Sequence, residues 1–198
     1  FRYILPRRVL FDTLLKVSSK IQRFIPMKKR GQMRHLPLLF MGKRWIPTLA
    51  RKTALQKFRK TRKVENPRMR VGFFTGCLIN YIYVDIAEAV VDVLNKMDIE
   101  VVIPQRQLCC GTPSSTMGDV RSSKKLAEEN RKVFEALELD AIVSACATCT
   151  KSIKNDYMRI LGPSWKNMSD KIYDISEFID KFIGDIPGVK PIGDKVTY

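Results

Sequence analysis

Met69-Arg70-Val71-Gly72-Phe73-Phe74-Thr75-Gly76-Cys77 decides the fold. Met69 to Phe74 is a short apolar run that suits a strand buried on both faces, as in a parallel sheet. Thr75-Gly76-Cys77 turns the chain, and a helix is expected from about Asn80 to Lys96, its inner face carrying Ile82, Ile86, Val90, Val93 and Met97. The same unit then recurs. Glu100 to Ile103 reads as a second strand stopped by Pro104, and Cys109-Cys110-Gly111 lies in the loop that follows. A long helix is expected from Asp119, a good N-cap, to Leu137. Ala141 to Ser144 reads as a third strand, followed by Cys146-Ala147-Thr148-Cys149 and a helix to about Leu161. Lys171 to Asp174 reads as a fourth strand, with a helix from Ser176 to Ile183.

Strand alternating with helix predicts an α/β fold: a parallel sheet flanked by helices on both faces. In such sheets the site lies beyond the carboxyl ends of the strands. Every cysteine falls just after a predicted strand, so three loops far apart in sequence are expected to bring five thiols to one edge of the sheet.

Upstream, the composition changes. Residues 1–70 hold 21 Lys/Arg against two acids, Asp12 and Glu65, a net +19, whereas residues 71–198 hold 15 against 18, a net −3. That break divides the chain into a basic helical arm or linker at 1–68 and a cysteine-bearing domain at 69–198. In the arm, Val9, Leu10, Leu14, Leu15, Val17 and Ile21 predict a helix over 8–24 that Pro26 ends. Pro37 and Pro47 break the next stretch, and Thr48 to Arg59 allows another short helix. Phe1, Tyr3, Phe11, Phe24, Phe40, Trp45 and Phe58 mixed with Arg and Lys suit a subunit interface or a membrane surface. A solvated basic linker is the plain alternative. No nucleic-acid motif accompanies the charge, so no nucleic-acid partner is expected.

Several functional classes are excluded. No stretch approaches the roughly 20 apolar residues that cross a bilayer, and the first residues carry no secretory signal. His35 is the only histidine, lies far in sequence from the cysteines, and is expected on the surface; hydrolysis by a Ser-His-Asp triad has no support. Gly72, Gly76 and Gly111 form no phosphate-binding fingerprint. An odd cysteine count without an export signal argues against a disulfide framework.

The thiols themselves carry the chemistry. Cys77 is separated from Cys109-Cys110-Gly111 by 31 residues, and Cys110 from Cys146-x-x-Cys149 by 35. Thiolates suit iron–sulfur clusters and zinc. The two-residue gap lets Cys146 and Cys149 reach one centre from the first turn of a helix. Adjacent Cys109 and Cys110 cannot easily both address one small ion, but they can grip a multi-iron object at two corners. Gly76 and Gly111 leave room for backbone close to it, and helix N-termini after Cys77, Cys110 and Cys146 would aim amide dipoles at its negative charge. Zinc on four of the five leaves one thiol over. A thioredoxin-like pair at Cys146/Cys149 leaves three, and buried structural cysteines would not explain five strand-end positions.

On these residues the sequence resembles the CCG cysteine-rich domain. That domain occurs in the cysteine-rich subunit of heterodisulfide reductase and in the iron–sulfur subunits of glycolate oxidase, lactate oxidase and anaerobic glycerol-3-phosphate dehydrogenase. The likeness covers about 69–160 and extends to Phe74-Thr75-Gly76-Cys77-Leu78-Ile79-Asn80 and Leu108-Cys109-Cys110-Gly111-Thr112-Pro113. It implies that Cys77, Cys109, Cys110, Cys146 and Cys149 hold a [4Fe-4S] cluster, non-cubane in heterodisulfide reductases. It implies an electron-transfer subunit of a flavin-linked dehydrogenase or oxidase acting on a 2-hydroxy acid or glycerol 3-phosphate. FAD is then expected only on the partner subunit, with a quinone or other carrier as acceptor. A heterodisulfide-reductase-like protein that cleaves a disulfide is the competing reading. The expected location is cytoplasmic or peripheral on the cytoplasmic membrane face. Thr75 and Thr148 are expected to donate hydrogen bonds that tune the potential. Such proteins usually carry two of these domains behind ferredoxin-like cysteine runs. The chain begins with Phe, and Lys195-Val196-Thr197-Tyr198 resembles the opening strand of a second copy. Neighbouring segments are therefore expected on both sides.

Overall fold

The computed structural model describes residues 7–22, 28–30, 33–35, 45–59 and 64–184. Its centre is a four-stranded parallel sheet built from β4 (Met69–Phe73), β5 (Ile99–Val102), β6 (Ala141–Ser144) and β7 (Ile172–Asp174), in the order β5-β4-β6-β7. Three earlier strands, β1 (Lys28–Arg30), β2 (Met33–His35) and β3 (Trp45–Pro47), form a separate antiparallel ribbon. All four expected strands of the main sheet are present, and the α/β reading holds.

Side-chain alternation gives the sheet two apolar faces. Val71, Phe73, Ile99, Val101, Ala141 and Val143 point to one side, where they meet Val84, Ala87, Val90, Val91 and Leu94 of α4 (Val84–Lys96). That layer also holds Phe178 of α10 (Ile175–Phe182), whose ring lies 6.2 Å from that of Tyr173. Phe74, Val102, Ile142 and Ile172 point to the other side. There they pack on Ala127 and Phe134 of α6 (Val120–Glu135) and on Ile153, Tyr157 and Trp165. Burial of each strand on both faces is why these runs are so uniformly apolar.

The expected single helix over Asn80–Lys96 is two helices, α3 (Gly76–Tyr81) and α4, with a break at Ile82 and Tyr83. The break rotates α4, so of the expected inner face Val90 alone is fully in the core, while Ile86 is exposed. Asp119 does cap α6, its carboxylate accepting the Ser122 amide at 3.1 Å. A short helix, α5 (Thr112–Thr116), occupies what the sequence reads as loop. After Cys146 the chain runs through α7 (Ala147–Lys151), a π-helical turn (Ser152–Asp156) and α8 (Tyr157–Leu161). A 3₁₀ turn (Pro163–Trp165) and α9 (Lys166–Ser169) then lead to β7.

Within the arm, α1 spans Arg8–Ile21, three residues shorter than expected, and α2 is Ala54–Lys57, closed by a Thr53/Gln56 capping box. The strands β1 to β3 fall in the stretch expected to be irregular; Pro37 lies outside the described residues. Only Gly31-Gln32 separates β1 from β2, a hairpin spacing, and Pro47 is tolerated as the last residue of an edge strand. Ala54 and Leu55 are buried in the main core. The Ala50 amide donates to the Tyr81 carbonyl at 2.8 Å, and the Leu55 amide to Asn80 Oδ1 at 3.0 Å. Phe11 meets the Tyr81 ring edge-on at 5.3 Å, and Asp12 accepts the Tyr81 hydroxyl. Thus α1 and α2 both brace α3, the helix that carries Cys77. No helix of the described residues is long and apolar enough to cross a membrane. The strand expected at Val196–Tyr198 and the side chain of His35 lie outside what is described.

Candidate metal centre

The order β5-β4-β6-β7 places a switch point between β4 and β6, where the chain, having moved from β4 to β5, crosses back to the opposite side of β4. Crevices beyond the strand carboxyl ends at such points are where doubly wound sheets bind ligands. Cys77 follows β4, Cys146 and Cys149 follow β6, and Cys109 and Cys110 follow β5 on the adjacent strand. The expectation that three loops meet at this edge is met: Cys109, Cys110 and Cys149 share one core cluster with Cys77 and Cys146 packed against it, and the thiols neighbour one another in the order Cys77–Cys109–Cys110–Cys149–Cys146. All are free thiols.

The middle of this row is buried, with Cys109, Cys110 and Cys149 exposed by 9, 3 and 5%. Its two ends, Cys77 and Cys146, are half-buried. The thiols shift one another's pKa in opposite directions along it. Cys77 is held below the usual thiol range by the Cys109 hydrogen bond. Cys110 is lowered to about 2, chiefly by hydrogen bonds from Cys109 and Cys149, with Thr112 adding to them. Cys146 is lowered to about 6, first by Cys149. Cys109 and Cys149 are pushed up, first by Cys110, then by Cys77 and Cys146 respectively, and then by burial. Packed together, the thiols pull one another apart in pKa, Cys77, Cys110 and Cys146 downward and Cys109 and Cys149 upward.

Backbone geometry makes this close approach feasible. Gly76 has φ +62°, and a Cβ there would lie 2.7 Å from Cys149 Sγ. Gly111, at φ +90°, turns the chain from Cys110 into α5, and a Cβ there would meet Ser123 Oγ at 3.3 Å. Both positions favour glycine on conformation.

Side chains that sequence reasoning did not single out hold the loops. Gln107 receives the Thr75 amide at 2.9 Å and donates to the Phe73 carbonyl at 3.2 Å, tying the Cys109 loop to the end of β4. Asn130 accepts the Leu108 amide at 2.7 Å and donates to the Cys109 carbonyl at 3.0 Å and to Tyr157 Oη at 2.9 Å. Ser152 donates to the Cys110 carbonyl at 3.1 Å. Both carbonyls of the adjacent pair are thus pinned from behind. The available signal was an amide or hydroxyl at an otherwise apolar helix position: Asn130 is 1% exposed and Ser152 3%. The Thr75 hydroxyl bonds Gln107 rather than a sulfur, and Thr148 is exposed. Thr112 Oγ1, at 3.3 Å from Cys110 Sγ, makes the contact expected of them.

Among the described residues, no three Cys, His, Asp or Glu side chains surround one point as ligands of a single ion. The sulfurs instead form a row of five, buried in the middle and half-buried at its ends, in a cradle approached by the backbone of Gly76 and Gly111. Such a donor set, soft, anionic and spread over several positions, fits a thiolate-held cluster with more than one metal corner. An open pocket of about 370 Å³ adjoins its Cys77–Cys109 end, lined by Phe11, Leu55, Asn80, Tyr81 and Gln107 among others.

Comparison with known proteins agrees with this geometry. Residues 71–154 match the CCG family, described as a cysteine-rich domain. An uncharacterized iron–sulfur protein of Methanococcus maripaludis is 38% identical over 135 residues, 68% of this chain and 25% of that protein. One of the subunits of the CoM/CoB fumarate reductase of Methanothermobacter marburgensis is 38% identical over 134 residues, 68% of this chain and 26% of that one. Lactate utilization protein A of Bacillus velezensis is 30% identical over 122 residues, 59% of this chain and 50% of that protein. The chain thus spans about a quarter of the length of the first two relatives. No solved structure matches it.

Proposed function

We propose, from the premise that residues 71–154 belong to the CCG cysteine-rich family, that this chain has an iron–sulfur redox role. In it, Cys77, Cys109, Cys110, Cys146 and Cys149 hold a [4Fe-4S] cluster, and Gly76 and Gly111 shape the cradle. The observation that carries this reading is the unbroken row of five thiols delivered by three separate loops. When bound, such a cluster takes up and releases single electrons. The chain's own residues shield the centre of the row from water and leave Cys77 and Cys146 at the surface, where a redox partner can approach.

We read the chain as the electron-carrying partner of a flavin-containing dehydrogenase or oxidase for a 2-hydroxy acid or glycerol 3-phosphate. FAD belongs to that flavoprotein, and a quinone or other carrier takes the electrons on. Supporting this are relatives named for lactate utilization and for a fumarate reductase. A cytoplasmic protein, peripheral on the membrane, suits the arm. Leu10, Leu14, Val17 and Ile21 form an outward apolar row on α1, 40 to 52% exposed, within a strongly basic segment. Anionic lipid or an acidic partner surface would complement both features.

The second reading, disulfide cleavage at a non-cubane cluster as in heterodisulfide reductases, draws on the pocket beside Cys77 and Cys109. There a disulfide would lie against the end of the sulfur row.

Anaerobic reconstitution of the 198-residue chain with iron and sulfide tests the main claim. It should yield about four irons and four sulfides per chain. One zinc and no iron would refute both readings. Turnover of a disulfide to two thiols by the reduced protein would select the second.

A further inference from the structure

The open pocket beside Cys77 and Cys109 takes one wall from the arm and the others from the cysteine-bearing domain. Phe11 of α1, Leu55 of α2, Tyr81 of α3 and Leu108 of the loop after β5 make its sides largely apolar. Among the described residues that line it, none is Lys, Arg, Asp or Glu. A carboxylate or phosphate would lose its hydration there and find no counter-charge. The pocket suits a neutral molecule.

One polar side chain in it is left to serve a ligand. Asn80 is 3% exposed and lines the pocket. The Leu55 amide donates to its Oδ1 at 3.0 Å, which fixes the orientation of the group and leaves Nδ2 as the other end. Among the described residues, Nδ2 has no hydrogen-bond partner. Buried donors are normally paired, so an acceptor belongs beside it. The other polar groups of the lining are engaged with each other or with the fold. The Thr75 hydroxyl donates to Gln107, Gln107 donates to the Phe73 carbonyl, and the Tyr81 hydroxyl donates to Asp12. A carbonyl oxygen answers Asn80 best, since it accepts without bringing a hydrogen that the apolar walls could not satisfy.

We propose that this pocket binds a neutral, largely apolar molecule through a carbonyl oxygen, with Asn80 Nδ2 as the donor that selects it. Cys77, a half-buried end of the row, shares the pocket, so the bound molecule stands where the sulfurs meet solvent. The inference rests on the redox reading above only for the source of the carbonyl: a quinone ring under the electron-transfer reading, an amide beside a disulfide under the second. Asn80→Asp keeps an oxygen facing the Leu55 amide and puts another oxygen where the donor was. Phe11→Ala removes one apolar wall and leaves Asn80 in place.

The experiment is anaerobic equilibrium dialysis of the reconstituted, oxidised 198-residue chain and both variants against neutral probes, with iron content and melting temperature measured in parallel. Duroquinone carries carbonyls on a ring with every carbon substituted, so thiols do not add to it. Durene is the same tetramethyl body without carbonyls, and diacetylcystamine carries amide carbonyls beside a disulfide. A carbonyl probe should bind, duroquinone about tenfold tighter than durene, as one neutral hydrogen bond allows. Asn80→Asp should lose that margin. Phe11→Ala should weaken duroquinone and durene alike and keep their ratio. Tight duroquinone assigns the carbonyl to a quinone, and diacetylcystamine binding alone assigns it to a disulfide substrate. Equal binding of duroquinone and durene with none of diacetylcystamine, or no binding to wild type that holds iron, overturns the site while the cluster reading stands. Wild type that shows the carbonyl margin but holds no iron keeps the site and refutes the cluster.

Discussion

A Cβ placed on Gly76 would come within 2.7 Å of Cys149 Sγ, so the backbone after β4 and a sulfur after β6 occupy adjoining space with no room for a side chain. Gly76→Ala therefore faces two penalties. The left-handed φ of +62° costs about 1–2 kcal/mol for an L-residue, and the methyl displaces the Cys149 sulfur. The variant should denature at lower urea concentration and retain less than half the wild-type iron after desalting. Gly111→Ala, where the nearest atom is a Ser123 hydroxyl 3.3 Å away, should lose stability yet keep more iron. Equal iron in Gly76→Ala and wild type would show that the close approach does not govern the site.

Gln107 joins two strand ends through one side chain. Replacing it with alanine leaves the Thr75 amide and the Phe73 carbonyl without their partner in a buried place. Unsatisfied buried groups of this kind cost about 1–3 kcal/mol. Urea unfolding of Gln107→Ala should show a loss in that range with an unchanged slope, and the reconstituted cluster should be lost faster in air. A stability change below about 0.5 kcal/mol would mean that solvent replaces the amide without penalty.

The metal-free protein should show an unusually reactive thiol at Cys146. Cys146 is half-buried and its pKa is lowered to about 6 by the Cys149 hydrogen bond. Because the thiolate is the nucleophile, its alkylation rate should rise as pH increases through about 6 and level off above. Iodoacetamide labelling between pH 5 and 9, followed by peptide mass spectrometry, gives the profile directly. Cys149→Ala should move the midpoint upward, since it removes the hydrogen-bond donor that lowers Cys146. A midpoint near 9 in the unmodified protein would contradict the lowering of Cys146 by Cys149.

For the arm, the outward row on α1 makes a surface prediction. Leu14 and Val17 are 44 and 49% exposed, on a helix bordered by Arg7, Lys16 and Lys20. The chain should sediment with anionic phospholipid vesicles and less so with neutral ones, weakening as salt screens the charges. Leu14→Glu with Val17→Glu should reduce that binding roughly tenfold or more, leaving iron content unchanged. Failure to bind anionic vesicles would assign the row to a protein surface instead.

Much of this molecule was readable from its chain alone. Four strands stand within a residue of their expected limits, because each is a short apolar run closed by a turn and buried on both faces. The positions of the cysteines followed from the same pattern, since a residue just past a parallel strand is carried to one known edge. The arm was less readable. Its β-ribbon places Pro47 in an edge strand, and the burial of Ala54 and Leu55 depends on contacts with α3, 25 residues further on for the Leu55–Asn80 bond.

What the amino-acid order determined by itself is local: periodicity, turns, and the attachment of five soft donors to three strand ends. Only the tertiary structure decided which face of α4 turns inward, which thiols lie buried and which at the ends of the row, and which neutral side chains hold the loops. Those outcomes arise between groups far apart along the chain, such as Asn130 with Cys109 across 21 residues and Gln107 with Phe73 across 34. Hydrogen-bond partners are chosen by distance and desolvation in the folded interior, and neither quantity exists until the sheet has assembled.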